Sequence, residues 1–346
     1  DLLEDVSYKN MKLCDDLVEL ELECVQKIID HIKSTYTEDN RNELELWEKI
    51  YNTGRSSRRA GCGATGVSDA IAMMGIKLNS REGFETVEKI FQTKMLGEIK
   101  AQIDMAKERG TFIGYDFEKE YMVKHTIKNL PWMGLHNYYH GNNEFFENLL
   151  DLPGLTPELM KEMHQYGRRN VSWSTMAPVG TGAIMTQGAS GIEPVFKAVY
   201  KRRKKCMSPS DRVDYVDETG EKFTEFNVIH VPFKKWAYKT FGVVLDENSD
   251  FKEVEEIFKK SPWYGCEAGD LSPEDHVKLQ SIVQRYITHS ISKTCNLPEN
   301  ATEKDIDEIY RLGWKTGCKG LTVYRDNCRS GVLVTKNDKK CDCSCN

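Results

Sequence analysis

The order of elements near the end of the chain constrains its fold more than any other feature. His289 to Leu297 (HSISKTCNL) is a strand candidate, and Thr302 to Gly317 (TEKDIDEIYRLGWKTG) has the apolar spacing of a helix. Lys319 to Tyr324 (KGLTVY) is a second strand candidate. Two strands joined through a helix by tight connections pair in parallel, so the sequence predicts an α/β fold.

Helices are predicted over much of the first half of the chain. Apolar residues between Tyr8 and Tyr36 recur at helical spacing and indicate one long amphipathic helix. A loop and a short helix are expected in the charged stretch TEDNRNELELWEKIY, and a helix-rich region follows to about Met105. Thr156 and Gly167 are residue types that begin and end helices, so a further helix is predicted between them.

The middle of the chain adds a strand and a polar excursion. Asn170 to Val179 (NVSWSTMAPV) is predicted to be a buried strand. The basic run Lys201 to Lys205 is interpreted as a solvated helix end. The stretch DYVDETGEKF that follows is expected to be a hairpin or an exposed loop.

Composition narrows the classes of function. The chain has 346 residues, of which 39% are hydrophobic and 29% charged, so it can bury a substantial core. Its net charge of −6 argues against general attraction to nucleic acid or to an anionic membrane. There is no apolar run near the roughly 18 residues of a membrane span and no signal-peptide pattern. Eight of the eleven cysteines are scattered, which favours a reducing compartment, so a cytoplasmic location is expected.

Small residues crowd the stretch STMAPVGTGAIMTQGASGIE, from Ser174 to Glu193. Small side chains leave backbone N–H groups open, and open N–H groups beside a hydroxyl are a means of holding phosphate. Gly180, Thr181 and Gly182 offer such groups directly after the predicted strand. From the residues alone, a phosphate site and a plain turn are equally supported.

A second glycine pattern is interpreted as structural. Gly61, Gly63 and Gly66 spell GxGxxG, which is the pattern of a dinucleotide-binding turn. The preceding residues RSSRR are polar and basic rather than a buried strand, and no second strand ends in an acidic residue at the expected distance. We therefore expect a turn in which glycines let a strand pack closely on a helix.

Three separated segments resemble the large, catalytic subunit of ribonucleotide reductase. NVSWSTMAPVGTGAIMTQGASGIEPVFKAVYKRR is similar to the phosphate-loop region of that family. GRSSRRAGCGATGVSDAIAMMGIKLNSREG resembles an earlier element of the family, and HSISKTCNLPENATEKDIDEIYRLGWKTGCKGLTVYRDNCRSGVL resembles its last βαβ unit. The three occur in the family's order, from about Gly54 to Leu333. The resemblance implies a ten-stranded α/β barrel.

The last predicted strand bears on the subclass. Iron- or manganese-dependent members of the family carry two adjacent tyrosines here, which relay a radical from a second subunit. The matching place in this chain, Leu321 to Tyr324, has one tyrosine. The motifs GLTVYRD and SISKT are similar to those of the adenosylcobalamin-dependent class, so the resemblance implies that cofactor.

The resemblance also implies a mechanism and a substrate site. In the family, a cofactor-derived radical converts a loop cysteine to a thiyl, which abstracts the 3′ hydrogen of a ribonucleotide. Two further cysteines then supply electrons as the 2′ hydroxyl leaves as water. Carried over by position, Pro178, Val179, Gly180, Thr181, Gly182 and Ala183 would hold the substrate phosphates. In the more common sequence of the family, a threonine precedes the position of Gly180 and a bulkier residue follows the position of Thr181.

One family element is missing from the sequence. The catalytic loop combines an asparagine, the thiyl cysteine and a glutamate, and no Asn-x-Cys-x-Glu arrangement occurs in this chain. The matched region begins downstream of that loop. We therefore expect residues 1–333 to form the C-terminal half of the barrel, helix-rich and inactive without a partner that supplies the N-terminal half.

Residues 334–346 are expected to form a flexible tail. Cys341, Cys343 and Cys345 alternate with polar residues there. In the family, C-terminal cysteines on a mobile arm reduce the active-site disulfide by thiol exchange and are recharged by a thioredoxin-type reductant. The alternatives are a zinc-binding tail completed by Cys328 or by a partner, and a tail without a role.

Several other residues carry structural interpretations. Cys62, Cys295 and Cys318 are expected to be mostly core material. His136 and His140, and Glu193 after the small-residue stretch, are interpreted as structural, and no metal site is assigned.

Three functional hypotheses remain on the sequence alone. The first is the catalytic half of an adenosylcobalamin-dependent ribonucleoside di- or triphosphate reductase. The others are a non-catalytic nucleotide-binding or interaction module of the same fold and a fragment of the metal-dependent class. Under all of them, a half barrel is expected to expose strand edges and an apolar face, which favour association.

Overall fold

The structure is a computed structural model that describes residues 2–116, 152–208, 210–217 and 220–326. The helices described are α1 (Leu2–Ser34), a 3-10 turn (Glu38–Asn40), α2 (Arg41–Ser57), α3 (Val67–Met73), α4 (Arg81–Arg109), α5 (Pro157–Tyr166), α6 (Gly180–Thr186), α7 (Val231–Phe241), α8 (Phe251–Lys259), α9 (Pro273–Gln284) and α10 (Glu303–Lys315). The strands are β1 (Val199–Lys205), β2 (Tyr215–Val216), β3 (Lys222–Ile229), β4 (Thr294–Leu297) and β5 (Thr322–Arg325).

Two long helices form the layer that covers the main core. The predicted helix between Tyr8 and Tyr36 is confirmed as α1, which packs along α4. The buried stripe of α1 includes Met11, Val18 and Ile29, and Met11 belongs to the same core cluster as the fully buried Phe91 of α4. The charged stretch expected to hold a loop and a short helix contains the 3-10 turn and the first part of α2, which is 17 residues long and runs on to Ser57.

Four extended segments lie side by side in parallel. Cys62 bridges Ser174, Met176 bridges Ile291, and β4 pairs with β5 from Thr294↔Thr322 to Leu297↔Arg325. The order across the sheet is therefore residues 60–63, 172–176, 291–297 and 322–325. Helices separate consecutive segments along the chain, as the predicted α/β fold requires.

The strand–helix–strand unit at the end of the chain is confirmed. Thr302 caps α10 by accepting a hydrogen bond from the N–H of Asp305, and the Asp305 carboxylate accepts the N–H of Thr302 in return. Cys295 and Leu297 of β4 pack with Ile309 of α10 in a small core of their own. The predicted strand over residues 170–179 is an extended segment with single bridges on each side rather than a continuous ladder.

A separate antiparallel sheet has the order β1-β3-β2. The predicted hairpin in DYVDETGEKF is confirmed, because β2 pairs with the start of β3. The basic run Lys201 to Lys205, interpreted as a helix end, is instead the exposed part of β1. Its cations are matched across the strands, since Lys201 and Arg203 both pair with Glu225.

The GxGxxG stretch is extended at Cys62 and leads into α3, and its packing partner differs from the one expected. A Cβ on Gly61 would lie 3.2 Å from the side chain of Thr175, so Gly61 permits close approach of the neighbouring extended segment rather than of a helix. Gly66 has a φ of 71° and caps the start of α3.

No helix in the described ranges is long and apolar enough to cross a membrane. Within those ranges the strands do not close a barrel: the parallel set has four segments, and its outer members are residues 60–63 and β5.

Candidate functional site: the bend after the second parallel segment

The second parallel segment is buried and firmly held. Trp173 and Ser174 have almost no exposed surface. The backbone N–H groups of both residues donate to the hydroxyl of Thr288, at 3.0 and 2.8 Å. The ammonium of Lys94 donates to Ser174 Oγ at 3.0 Å from α4. The segment therefore delivers the chain to residue 177 in a fixed direction.

The small-residue bend emerges from this segment into solvent. Residues 177–181 are exposed, and α6 begins at Gly180 with Val179 as its N-cap. The first helical hydrogen bond runs from Ala183 N–H to Val179 O at 2.7 Å. The N–H groups of Gly180, Thr181 and Gly182 therefore point out of the first turn, beside the exposed Thr181 side chain. The expected loop leads into a helix of seven residues whose first turn presents three donors.

These contacts leave an open backbone N–H donor on three of the six predicted phosphate-binding residues. Pro178 has no N–H, the N–H of Val179 donates to Ser190 Oγ at 2.7 Å, and the N–H of Ala183 is used within α6. Gly180, Thr181 and Gly182 keep their donors. A Cβ on Gly182 would lie 2.5 Å from Val179 Cγ1, so a larger residue there would require the Val179 side chain to move.

A buried aspartate fixes the far end of the bend. Asp69 of α3 accepts hydrogen bonds from Ala189 N at 2.7 Å, from Trp263 Nε1 at 2.9 Å and from His230 Nε2 at 2.7 Å. Burial alone would raise the pKa of Asp69, but these donors, His230 first, lower it below its usual value. The carboxylate therefore stays ionised and holds residue 189 against α3.

A second buried network anchors the chain just beyond the bend. Glu193 accepts the N–H of Thr294 at 2.8 Å, and its other oxygen lies 3.3 Å from the ammonium of Lys293. Lys293 also donates to His276 Nδ1 at 2.6 Å and to Thr294 O at 2.9 Å. Burial is the main reason that the pKa of Lys293 is lowered. Glu193 is thus structural, as expected, and ties the bend to β4.

His276 is the most strongly perturbed base in this network. Burial, followed by the charge of Lys293, lowers its pKa to about 3. Its Nε2 lies 3.0 Å from Ala268 O. Because an ammonium can only donate, His276 Nδ1 accepts from Lys293 and Nε2 carries the single proton.

The remaining sequence candidates lie elsewhere. Cys62 contacts the Asn10 amide of α1, and Cys295 and Cys318 pack around α10, so all three face helices, as expected of core residues. His136, His140 and the tail cysteines Cys341, Cys343 and Cys345 lie outside the described residues.

Sequence reasoning missed the residues that hold the bend. Asp69, Lys293 and His276 were not singled out, because each acts through a partner more than 15 positions away in the chain. The only sign of these residues in the sequence was a polar residue within an apolar stretch, such as Asp69 in VSDAIAM.

Together, the parallel segments and the helix layer over them define an α/β protein with an exposed N–H turn at the end of one segment. Residues 10–324 match the family model described as "Ribonucleotide reductase, barrel domain". This chain therefore belongs to the ribonucleotide reductase barrel-domain family, as the sequence resemblance implied.

Curated relatives agree with the family. The chain is 27% identical over 291 residues to a vitamin B12-dependent ribonucleoside-diphosphate reductase of Thermoplasma acidophilum, a match that covers 83% of this chain and 31% of the relative. It is 28% identical over 309 residues to a vitamin B12-dependent ribonucleotide reductase of Streptantibioticus cattleyicolor, covering 85% and 48%. The chain thus spans about a third to a half of the relatives it matches.

Proposed function

We propose that this chain contributes the substrate phosphate site of a ribonucleotide reductase. The observation that carries the proposal is the exposed first turn of α6, where the N–H groups of Gly180, Thr181 and Gly182 diverge beside the Thr181 hydroxyl. Such donors satisfy the oxygens of a di- or triphosphate, and the partial positive charge of the helix start adds to them.

The buried networks act by positioning. Asp69 fixes the chain after α6, and Glu193 with Lys293 fixes it to β4, so the three N–H groups are oriented before a nucleotide arrives. A donor set that is already oriented does not have to be ordered during binding, and this favours affinity.

We also propose that the complete enzyme uses adenosylcobalamin, a cofactor that would supply the initiating radical. The names of the relatives support this, as does the single tyrosine, Tyr324, in β5. Two cavities of about 560 Å³ lie beside α1 and α2 and beside α9 and α10, and neither is lined by the bend.

The partners proposed are an N-terminal half that carries the catalytic cysteine loop and a thioredoxin-type reductant. The first is supported by the missing Asn-x-Cys-x-Glu pattern and by the share of the relatives that the chain spans. The second is supported by the tail cysteines. Residues 1–333 would be the C-terminal half of the barrel, and residues 334–346 its redox tail, in the cytoplasm.

Nucleotide binding tests the phosphate site directly. We expect the chain to bind cytidine diphosphate more tightly than cytidine in isothermal titration. Replacing Thr181 with valine removes one hydrogen bond to a charged group, so it should weaken diphosphate binding about tenfold and leave cytidine binding unchanged.

Thr186→Val is the matched control. Thr186 lies on the same short helix, and its hydroxyl donates to Gly182 O within α6 rather than toward the bend. The proposal fails if both valine variants bind diphosphate equally, or if diphosphate and nucleoside bind with the same affinity.

A reconstitution experiment tests the catalytic role. Mixing the chain with an N-terminal half, adenosylcobalamin and a dithiol should restore deoxynucleotide formation, whereas a non-catalytic module would stay inactive. Replacing Cys343 and Cys345 with serine should block turnover with thioredoxin and spare turnover with the small dithiol. Equal activity with both reductants would contradict the tail's role.

A further inference from the structure

Two cysteines far apart in the sequence meet beneath helix α1. Cys14 lies on the inner side of α1, and Cys62 is the bridge residue of the first parallel segment. Cys14 packs against the buried core cluster that contains Cys62, and the Cys62 thiol is near enough to change the pKa of Cys14. Asn10, one turn before Cys14, donates its amide to Cys62 Sγ at 2.9 Å, which fixes that sulfur against the same face of α1.

The surroundings of the pair are charged, although they are buried. Lys94 of α4 donates to Cys62 O at 3.0 Å and forms an ion pair with Glu98. The side chain of Glu98 is fully buried, and its Oε2 has no hydrogen-bond partner among the described residues. The charge of this buried carboxylate is one of the causes that raise the pKa of the Cys62 thiol.

The two thiols are not equivalent. Cys62 is almost fully buried, while Cys14 is partly exposed. The hydrogen bond from Cys62 lowers the pKa of Cys14 to about 7, and the same contact, together with burial, raises the pKa of Cys62 far above its usual value. Cys14 is therefore the nucleophile of the pair near neutral pH, and Cys62 is the protonated partner.

We propose that Cys14 and Cys62 form a redox-active dithiol that reacts with low-molecular-weight disulfides and closes a bond between α1 and the first parallel segment. The Cys14 thiolate attacks one sulfur of the external disulfide, forms a mixed disulfide and releases one thiolate. Cys62 then loses its proton and attacks Cys14 Sγ, which releases the second thiol. The chain loses two electrons and two protons, and the external disulfide is reduced to two thiols.

The position of the bond gives it a structural effect. It would enclose a loop of about 48 residues that includes α2 and would tie α1 to Cys62, the bridge partner of Ser174. Ser174 lies four positions before the bend at Pro178. Closing a loop of this length restricts the unfolded chain, so oxidation should raise the melting temperature by about 5 °C or more.

Peptide mapping of the oxidised chain tests the proposal. We use a variant with Cys341, Cys343 and Cys345 replaced by serine, so that tail thiols do not exchange with the pair, and incubate it with oxidised glutathione. We expect a linked peptide pair joining Cys14 to Cys62, a protein about 2 Da lighter, and reversal by dithiothreitol. Iodoacetamide should label Cys14 in the reduced chain with a midpoint near pH 7.

Cys24→Ser is the matched control, because Cys24 is an exposed thiol on the same helix. That variant should keep both the linked peptide and the rise in melting temperature, whereas Cys14→Ser should lose both. The proposal is overturned if glutathione stays attached to Cys14 without transfer to Cys62, or if neither cysteine reacts. Because the tail variant keeps both Cys14 and Cys62, its peptide map tests the proposal even if a Cys62 substitution prevents folding.

Discussion

At the scale of single residues, His276 shows how burial assigns a proton. Three acceptors surround the Lys293 ammonium, namely His276 Nδ1, Thr294 O and Glu193 Oε2, and they match its three N–H groups. His276 is therefore locked as a neutral ring whose other nitrogen donates to Ala268 O. A second positive charge beside Lys293 would have no counter-charge beyond Glu193.

We expect this histidine to make the chain acid-sensitive. Its pKa is depressed in the fold from 6.5 to about 3, so only the unfolded chain takes up the proton between these values. The stabilisation is complete above pH 6.5 and is lost as pH falls toward 3. The resulting loss in the free energy of unfolding reaches about 3 kcal/mol at about pH 4.

Urea unfolding across this pH range measures the effect. His276→Gln should be less stable than the parent at neutral pH but should lose less stability on acidification. His31→Gln, at the exposed end of α1, should follow the parent curve. Parallel curves for His276→Gln and the parent would contradict the assignment.

The candidate site was only partly predictable at this scale. Gly180, Thr181 and Gly182 could be proposed from the sequence, because small residues and a hydroxyl form a visible cluster there. Asp69 and Lys293 were not found, because a buried ion is recognised by its partners, and those partners are brought together only by folding. The internal hydrogen bonds donated by the N–H groups of Ala183 and Val179 could not be predicted from the sequence either.

At the scale of elements, prediction succeeded where local signals decide the structure. The helices α1, α5 and α10 follow apolar spacing, and the cap at Thr156 forms as predicted. The basic run in β1 was wrongly taken as a helix end, because its strand conformation comes from pairing with β3, which lies more than 15 residues away. Cross-strand pairs are set by the fold, so propensity alone misses them.

Several elements meet at one buried carboxylate. Asp15 of α1 accepts from Arg58, which follows α2, at 2.8 Å, and from Asn170, which precedes the second parallel segment, at 3.0 Å. Arg169 and Arg109 also reach it, both at 3.2 Å. Burial acts to raise the pKa of Asp15, but Arg58 and the other donors hold it below its usual value.

We expect Asp15→Asn to destabilise the chain strongly. The change leaves the buried guanidinium groups of Arg58 and Arg169 with Glu19 as their remaining acidic partner, and breaking a buried ion pair costs about 3–5 kcal/mol. Asp16→Asn is the matched control, because Asp16 is the next residue on the same helix but about half exposed, and an exposed pair contributes at most about 1 kcal/mol. Guanidinium unfolding measures both, and equal losses would show that Asp15 does not join these elements.

At the scale of the whole molecule, α1 has two apolar stripes. The inner stripe packs on α4, while Val6, Leu13, Leu17 and Leu20 lie on the opposite side with 51–55% of their surface exposed. Spacings of three, four and seven residues place these four side chains along one line of the helix. Val179, Ile184 and Met185 are also exposed at the bend. Apolar surface of this extent is typical of a face that another chain covers.

We therefore expect the isolated chain to associate with itself at micromolar concentration. The exposed stripe of α1 has no cover within the described residues, and burying it releases water from four large side chains. Replacing Leu13 and Leu17 with glutamate should shift the sedimentation profile toward monomer and leave the circular dichroism spectrum unchanged. Met74→Glu changes an equally exposed apolar residue outside the stripe, so it should leave association as it is. If the double variant associates as strongly as the parent, the contact lies elsewhere. The outer segments 60–63 and β5 are then the surfaces to test, because an unpaired strand edge is the other route to association.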